Sequence, residues 1–550
     1  MTAADSVPVL IAGAGPSALV AALTLLQNGI SIRIIEKEDK YRLGQRGAGL
    51  FPRSLELFHF LDVPEVDQRA KPLPSMRTYK PGTVEPLKTF SMTPYQDPTP
   101  AFPYFNPCML GQQTLEGILR AHLEKLSCFV ETGTELRSFE QFPDHVVAHV
   151  VKKRDGEEIQ ETIKATWLIG ADGAKSVVRK QLGLTFLGET KDDLRLITGD
   201  IRLKGLDHEH WHLFGEMKTN LLVLRPTEEV GLDGYQFSMF GSAVNFSIVK
   251  SSADVYKHIA SIVPTNLTFE ELIWVSEFRA NTRMVNKFGE GRVFVSGDAA
   301  HVHSPAGGQG LNSSVQDAFN LAWKISLVQK GLSPDSLLDS YTGERLPVIA
   351  EMINIATALF NKSTTANSSN AEEAFERNER LYMLGVNYRS SPIVLDEVVP
   401  PSDARPVDAY GLIRDGSLQA GDRAPDAPGL LDVKGAGNVR LFDIFRPHLH
   451  TVLVFTSDAS KAARIISELR RYEQSVLRSV IVLPAGSSTQ TDSAAADIVL
   501  EDKEGYAYKH YLVGDETRVV VVRPDGVAGA IVHGAEGMVR YFDKVFVSRS

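Results

Sequence analysis

The chain has 550 residues, 43% of them hydrophobic and 23% charged, which is too long for one modest core and too ordinary for disorder, so two or three folded domains are expected. A formal net charge of −10, with no long basic run against it, argues against general nucleic-acid binding. Cys108 and Cys128 form no CxxC pair, Met1–Pro8 does not lead into a signal-like apolar run, and Gly13, Gly15 and Pro16 interrupt the first apolar stretch, so a cytoplasmic protein with no membrane partner is expected.

Val7–Ala12 reads as a short buried strand, Pro16–Asn28 as a helix and Ile30–Ile35 as a second strand, a βαβ opening. The turn between the first strand and the helix is Gly13-Ala14-Gly15-Pro16-Ser17-Ala18. Gly13 permits the tight bend, Gly15 lets a pyrophosphate approach the backbone, and Ala18 is small enough for the helix to pack on the strand. The helix N-terminus at Pro16 and Ser17 then faces the phosphates. Glu36, followed by Lys37, ends the second strand where a carboxylate accepts hydrogen bonds from a ribose hydroxyl. Strand, turn, helix, strand and terminal acid in register predict dinucleotide binding; a structural βα turn is the alternative.

Arg53–Leu61 predicts a short amphipathic helix, and Leu110–Leu126 a longer one. Lys71–Pro107, rich in proline and aromatic residues, is expected to be irregular or to form edge strands around a site. Val146–Lys153 and Glu158–Ala165 read as paired strands turning at Asp155-Gly156, and Trp167–Gly170 as a further buried strand before Ala171-Asp172-Gly173. Short alternating segments between 185 and 285, including Trp211–Leu213, Leu221–Leu224 and Tyr235–Phe240, predict a mostly antiparallel, substrate-facing sheet. Arg292–Ser296 returns to the buried-strand pattern and Ser313–Gln329 to a helix, while Asn361–Asn378 reads as an exposed connection. The Pro/Asp-rich stretch 391–414 reads as a linker, and a new α/β alternation begins near Ala420 with strands at Thr451–Phe455, Val480–Leu483 and Arg518–Val522 and a helix at Ala459–Arg471.

The run from Gly297 to Asn312 places Asp298 just after a strand, then Pro305, then Gly307, Gly308 and Gly310 ahead of a helix whose entry holds Leu311 and Asn312. Asp298 alone suits a helix cap. With the glycines, backbone N–H groups surround an anionic ring edge or a phosphate, and Asp298 reaches a ribityl hydroxyl. His208, His210 and His212 alternate on one strand face and His301 and His303 form a second pair, but neither set has a clear ligand shell, so no metal is expected.

In the order of these motifs the chain resembles the class A flavoprotein aromatic hydroxylases, most closely the phenol hydroxylase-like branch. The resemblance rests on Gly13–Ala18 with Glu36, Arg46–Leu50, Arg53-Ser54-Leu55-Glu56, Gln112 with Glu116, Gly170–Gly173, and Gly297–His301 with Pro305 and the glycine-rich helix entry. It implies an α/β fold: a discontinuous Rossmann-like FAD-binding domain at 1–184 and 286–390, with 71–110 partly at the substrate site, and an antiparallel substrate-binding sheet domain at 185–285. Gly421–Asp426 and Arg523–Gly526 look like the thioredoxin-like C-terminal domain of this branch, placed at 415–550 after the 391–414 linker. That domain has no cysteine here, which excludes dithiol chemistry and leaves a structural or dimer-supporting role.

By the same resemblance Arg46 and Gln112 lie beside the flavin, Asp172 serves both FAD and the reduced nicotinamide, and Asp298 contacts the ribityl chain. The N–H groups of Gly307–Leu311 stabilise reduced flavin, and Pro305 borders the oxygen-reacting face. NADH or NADPH reduces FAD, O2 forms a flavin C4a-hydroperoxide, and a phenolic or polyketide-like aromatic substrate takes one oxygen atom, the protein acting as a homodimer. One position departs from the pattern. Phenol hydroxylase has an aspartate, thought to assist substrate deprotonation, where this chain has Ala48. Another residue, water or the substrate's own acidity must supply that function, with His210, Arg225 and Tyr235 as the side-chain candidates. An FAD oxidase or dehydrogenase, or a non-enzymatic flavin-binding interaction protein, are the competing readings.

Overall fold

The computed structural model describes residues 6–154, 156–216, 218–364, 371–399, 407–412, 416–435, 437–487 and 496–547. Asp155 of the expected Asp155-Gly156 turn, 365–370 of the expected exposed connection, and 400–406, 413 and 414 of the expected linker lie outside them. Among the described residues the chain is a mixed α/β structure with three eight-stranded sheets and one small three-stranded sheet.

Ser6–Ala12 is buried along nearly its whole length and takes an inner position in the first sheet. It runs parallel to Ile32–Ile35 on one side and to Glu157–Gly170 on the other, as expected of an apolar strand with both faces covered. The helix Pro16–Gln27 starts on a proline, whose missing N–H is no loss in a first turn, and buries every residue from Ser17 to Leu25. It packs against Gln112–Lys125 and Gln309–Gln329. Trp167–Gly170 is not a separate strand: Glu157–Gly170 runs unbroken, because no turn-forming residue separates Ala165 from Trp167. Its first half pairs antiparallel with Val146–Arg154 and its second half enters the parallel sheet.

The second sheet runs in the order His301–Val302, Thr268–Val285, Phe186–Lys204, Gly234–Phe240, Leu221–Pro226, His210–Phe214, Ser75–Tyr79 and Pro86–Phe90. It is antiparallel apart from the parallel pair His210–Phe214 with Ser75–Tyr79. The short segments expected between 185 and 285 are joined by two long strands and by the helix Ser252–Ile262. Alternation splits the sheet into two faces. Ile197, Leu222, Leu224, Tyr235, Phe237 and Met239 point to one face and pack with Val255 and Ile259 of that helix. Asp200, Gln236, Ser238 and Arg225 point to the other.

Two expectations shift at helices. Gln309–Gln329 begins four residues before Ser313, directly after Gly308, whose φ of 66° closes the turn into the helix. Among the described residues of 361–378 most are exposed, but Asp339–Thr364 runs into the stretch and Ala371–Phe375 is a short helix whose Ala371 joins the cluster of Met76, Met92 and Trp211. Alanine spacing, rather than residue polarity, marks that contact.

The third sheet, built around His450–Phe455, Leu477–Pro484 and Arg518–Val522, shares one continuous apolar core with the first two-thirds of the chain. Leu395–Asp396 pairs with Ala528–Val532 in that sheet, and Tyr410 is buried with its hydroxyl donating to Gln309 Oε1. The contact between the two parts of the chain carries buried ions. Arg523 bonds Glu344 at 2.7 Å and Asp525, Lys324 bonds Glu344 at 2.7 Å, and Arg423 bonds Glu56 at 2.6 Å.

His450 sits in this core among Trp323, Tyr541, Phe542 and Phe546 with no partner for either ring nitrogen. Burial lowers its pKa from 6.5 to about 3. Below pH 6.5 the unfolded chain binds a proton that the folded chain refuses, so this contribution is whole above pH 6.5 and is lost as pH falls toward 3. His450→Phe is therefore expected to keep about 2 kcal/mol that the parent loses between about pH 7 and 5, read by urea denaturation at both pH values. An unchanged pH dependence in the variant would assign the acid sensitivity elsewhere.

Candidate active site

The cradle begins at Gly13, where φ is 106° and an added Cβ would lie 2.2 Å from the carbonyl oxygen of Ala171, so no side chain fits. Gly15 has open space where its Cβ would be, which is what a phosphate needs to reach the backbone. Glu36 Oε2 accepts the Ala14 N–H at 3.0 Å, fixing the acid at the end of its strand beside the turn. Lys37 is exposed next to it. Ser17 Oγ lies 2.6 Å from Ser296 Oγ, which joins this turn to the segment carrying Asp298. A Cβ on Gly297 would meet Ser17 Cβ at 3.1 Å and Ser314 Oγ at 2.9 Å, so the two glycine-rich segments touch although 280 residues separate them.

Asp298, Pro305 and Gly308 are exposed within a run whose other members are mostly buried. Asp298 faces open space inside a surround of protein, and desolvation raises its carboxyl pKa against the pull of His301 and Arg42. Gly307 and Gly308 both have positive φ, 87° and 66°, and turn the chain into the helix that starts with Gln309, Gly310 and Leu311. The first-turn N–H groups of that helix have no intrahelical acceptor, which makes the end an anion-binding site. Asn312 accepts the Phe51 N–H at 2.9 Å and donates to the Gly49 and Gly308 carbonyls, each at 2.9 Å. It thereby ties the helix entry to the 46–50 segment.

On that segment Arg46 has φ 44°, is exposed, and places its guanidinium 5.1 Å from the centre of the Trp274 ring. Burial of the surroundings and the neighbouring Arg42 lower its pKa. Gln112 Oε1 accepts weakly from the Gly47 N–H at 3.5 Å, and its Nε2 donates to Glu116 at 2.8 Å. Leu311 Cδ1 would be 3.8 Å from a Cβ on Gly47, so Arg46, Gln112 and the helix entry line one continuous edge. Asp172 Oδ2 accepts the Val177 N–H at 2.7 Å, while Oδ1 is buried without a protein partner. An open Gly15, an unpartnered Asp172 oxygen, an exposed Asp298 and a free helix N-terminus suit a long ligand with phosphates at one end and hydroxyls along it.

Behind this edge His301 donates to Asp317 Oδ2 at 2.7 Å, and Arg345 donates to the other oxygen at 2.7 Å. Burial alone would raise the Asp317 pKa, but Arg345 and His301 outweigh it and hold it low. Asp317 also accepts the Gly297 N–H at 3.2 Å, fixing the turn before Asp298. His303 donates to the Ser304 carbonyl at 2.6 Å, and burial lowers its pKa to about 4, so it is neutral at physiological pH. Asp298→Ala is expected to weaken dinucleotide binding about ten- to a hundredfold through loss of a charge-assisted hydrogen bond, measured by ultrafiltration or fluorescence titration. Unchanged affinity would remove Asp298 from the site.

The structure separates the three substrate-activation candidates. Tyr235 is wholly buried on the far face of the second sheet, and its hydroxyl donates to the carbonyls of Leu206 and Asp207, both at 3.0 Å. Burial raises its pKa further. His210 bonds Asp207 at 2.8 Å and Arg77 at 2.7 Å on that same face. Neither is near the cradle. Arg225 is on the near face, pairing across strands with Gln236, whose Nε2 donates to the Arg46 carbonyl at 3.0 Å. Among the described residues Arg225 has no carboxylate within ion-pair distance; it makes one long bond to Ser238 Oγ at 3.3 Å, and its Nε has no partner. Burial lowers its pKa to about 10, still well above neutrality. Phe278, Leu359, Phe360 and Ala306 form an apolar cluster beside Pro305, and Met76, Trp211, Leu213, Leu221 and Val223 form another next to Arg225. Asp200 and Trp274, absent from the candidates read from the sequence, adjoin the same loop. Their only sequence signal is the polar alternation Thr198-Gly199-Asp200 in a strand.

This fold and its glycine-lined cradle suit a protein that binds a dinucleotide. The chain belongs to the FAD binding domain family, whose model matches residues 6–356. It is similar to a flavin-dependent monooxygenase of Mycobacteroides abscessus, with 32% identity covering 98% of this chain and 99% of the relative. Pentachlorophenol 4-monooxygenase of Sphingobium chlorophenolicum is 28% identical over 97% of this chain and 94% of its own length. In fold it matches the crystal structure of the flavin-dependent monooxygenase PieE in complex with FAD and substrate, with a TM-score of 0.79 at 22% identity, covering 98% of this chain and 100% of that one. The protein is an FAD-dependent monooxygenase of the aromatic-hydroxylase type. No helix among the described residues is long and apolar enough to cross a membrane.

Proposed function

We propose that the enzyme hydroxylates a phenolic or polyketide-like aromatic compound, taking electrons from NADH or NADPH and oxygen from O2. One oxygen atom enters a ring C–H bond to give C–OH and the other leaves as water, with two electrons arriving as hydride from the nicotinamide and one proton from solvent. When bound, FAD supplies the carrier that accepts that hydride and activates dioxygen. The observation that carries the substrate reading is Arg225: a half-buried cation whose Nε is enclosed, with no carboxylate within ion-pair distance among the described residues and Asp200 acting on it only from further off, next to apolar clusters and one strand from the residue holding the Arg46 carbonyl. An enclosed charge without a close partner is costly, and a phenol oxygen supplies the missing acceptor. Arg225 does not take the proton; it lowers the pKa of the phenol beside it, which accounts for substrate activation with alanine at position 48.

The rest of the chemistry follows from position. With FAD bound, the Gly307–Leu311 N–H groups would stabilise negative charge on it, and Pro305 with the Phe278, Leu359 and Phe360 side chains would keep water away from the reaction. Asp172 contributes to both FAD and nicotinamide contacts. We read 185–285 as the substrate-binding part, 391–414 as the linker and 415–550 as a thioredoxin-like part supporting a homodimer; the parallel strands His450–Phe455, Leu477–Pro484 and Ile498–Asp502 beside antiparallel Arg518–Val522 support that reading. Both cysteines are free, which suits a reducing cytoplasm. Anaerobic mixing with NADH and with NADPH tests the first half of the reaction: bleaching of bound flavin that accelerates when a phenol is present supports it. No bleaching by either nucleotide would favour a different electron donor.

A further inference from the structure

Asp200 is fully buried and lies on the same sheet face as Gln236 and Arg225, directly across from Trp274 on one side and Gln236 on the other. Its Oδ2 accepts two hydrogen bonds, from the Gln45 backbone N–H at 2.7 Å and from Trp274 Nε1 at 2.7 Å. A Cβ on Gly44 would fall 2.2 Å from Oδ2 and 2.2 Å from Trp274 Nε1, so the 44–47 loop is pressed onto this pair. The loop is held at each step. Gly44 N–H donates to Gln113 Oε1 at 2.6 Å, Gln112 N–H to the Gln45 carbonyl at 3.2 Å, and Gln236 Nε2 to the Arg46 carbonyl at 3.0 Å. Arg46 itself takes φ 44°, a region a side-chain-bearing residue adopts only when its neighbours impose it.

We infer that Asp200 is a positioning residue: it clamps the 44–47 loop to the substrate-facing sheet and so sets Arg46 against the flavin. The clamp explains an otherwise unfavourable arrangement, since a carboxylate in the interior needs donors and a nearby charge; both donors go to Oδ2, while Oδ1 is buried with no partner among the described residues. Both donors come from the parts it joins, one from the loop and one from the sheet. Burial raises the Asp200 pKa, with the Gln45 and Trp274 bonds, Arg46 and Arg225 opposing. The inference rests on the reading of Arg46 as a flavin neighbour and is independent of which substrate is oxygenated.

The test compares Asp200→Asn with Asp200→Ala in the full chain, reading the FAD dissociation constant and the visible absorption band shape of bound FAD. The amide oxygen of asparagine still accepts from Gln45 and Trp274, so Asp200→Asn is expected to stay within about threefold of the parent with the same band shape. Asp200→Ala is expected to weaken FAD binding about tenfold or more and to alter the band shape, because the loop loses its acceptor. Where the alanine variant does not fold, Gly44→Ala reads the same property, since its methyl group displaces the loop from the carboxylate. A structural role alone would lower the melting temperature of the FAD-free protein in Asp200→Ala and leave FAD affinity and band shape as in the parent; that result overturns the inference, as does loss of binding in the asparagine variant equal to that in alanine. Failure to oxygenate any phenol would count against the proposed function and leave these readouts intact.

Discussion

Arg225→Met is expected to lower kcat/KM for phenol hydroxylation by about 10²–10³-fold while FAD affinity stays unchanged, the size of effect seen when one preorganised charge-stabilising donor is removed. The Arg225 guanidinium lies 5.1 Å from the Trp211 ring centre; methionine removes that charged head and keeps an apolar stem of similar length to fill the space. The proposed role makes a second, sharper demand. If Arg225 acts by lowering the pKa of the phenol, the penalty must shrink for phenols that are already acidic, such as halogenated or nitro-substituted rings, and must shrink for all substrates as pH rises. A loss of the same size for every phenol at every pH would make Arg225 a packing residue.

The second large effect is on stability. Glu344 is fully buried and accepts from Arg523 through both oxygens, at 2.7 and 3.0 Å, from Lys324 at 2.7 Å, from Asn320 at 2.7 Å and from Ser391 at 2.7 Å. Burial alone would raise its pKa, but Arg523 and Lys324 outweigh that and hold the carboxyl well below its ordinary range. Its folded pKa is thus depressed, so the stability it contributes is present at neutral pH and is lost only as pH falls below the unfolded carboxyl range. Glu344→Ala takes one acceptor from each of two buried cations and an amide, leaving Arg523 with Asp525 and Lys324 with Asn320, and is expected to cost about 3–5 kcal/mol, whereas Glu344→Gln keeps part of the hydrogen bonding and costs less. Urea denaturation followed by tryptophan emission checks this. A cost below about 1 kcal/mol would mean that the network relaxes around the gap.

These two residues show what is readable in a sequence and what is not. The cradle is legible because its parts are local: Gly13 to Ala18 and Gly307 to Asn312 each encode a turn and a helix entry within a few residues, and Glu36 follows at a fixed distance. The sheet face is not. Arg225 stands opposite Gln236, so Tyr235, one residue away, points to the other side and packs in the apolar layer. His210 is lost from the site for the same reason, because it shares its face with His212 rather than with Trp211. Asp200 and Trp274 meet through strand register across 74 residues, and Glu344 meets Arg523 across 179; neither separation leaves a periodic trace. Helix ends fail more gently. The entry at Gly308 needs a left-handed residue, which the glycine cluster supplies, while the periodicity becomes plain only from Ser313.

Under the proposed function, electrons from a nicotinamide and one atom of dioxygen would meet an aromatic ring between the Gly297–Asn312 edge and Arg225. Isotope-labelled dioxygen tests it most directly. With the FAD-loaded enzyme, the effective nicotinamide and a phenolic substrate, the hydroxylated product is predicted to carry one labelled atom per turnover, and label is predicted to vanish from the product when the isotope is supplied as water instead. Nicotinamide consumption with all of the label released as hydrogen peroxide, across simple and polycyclic phenols alike, would contradict it.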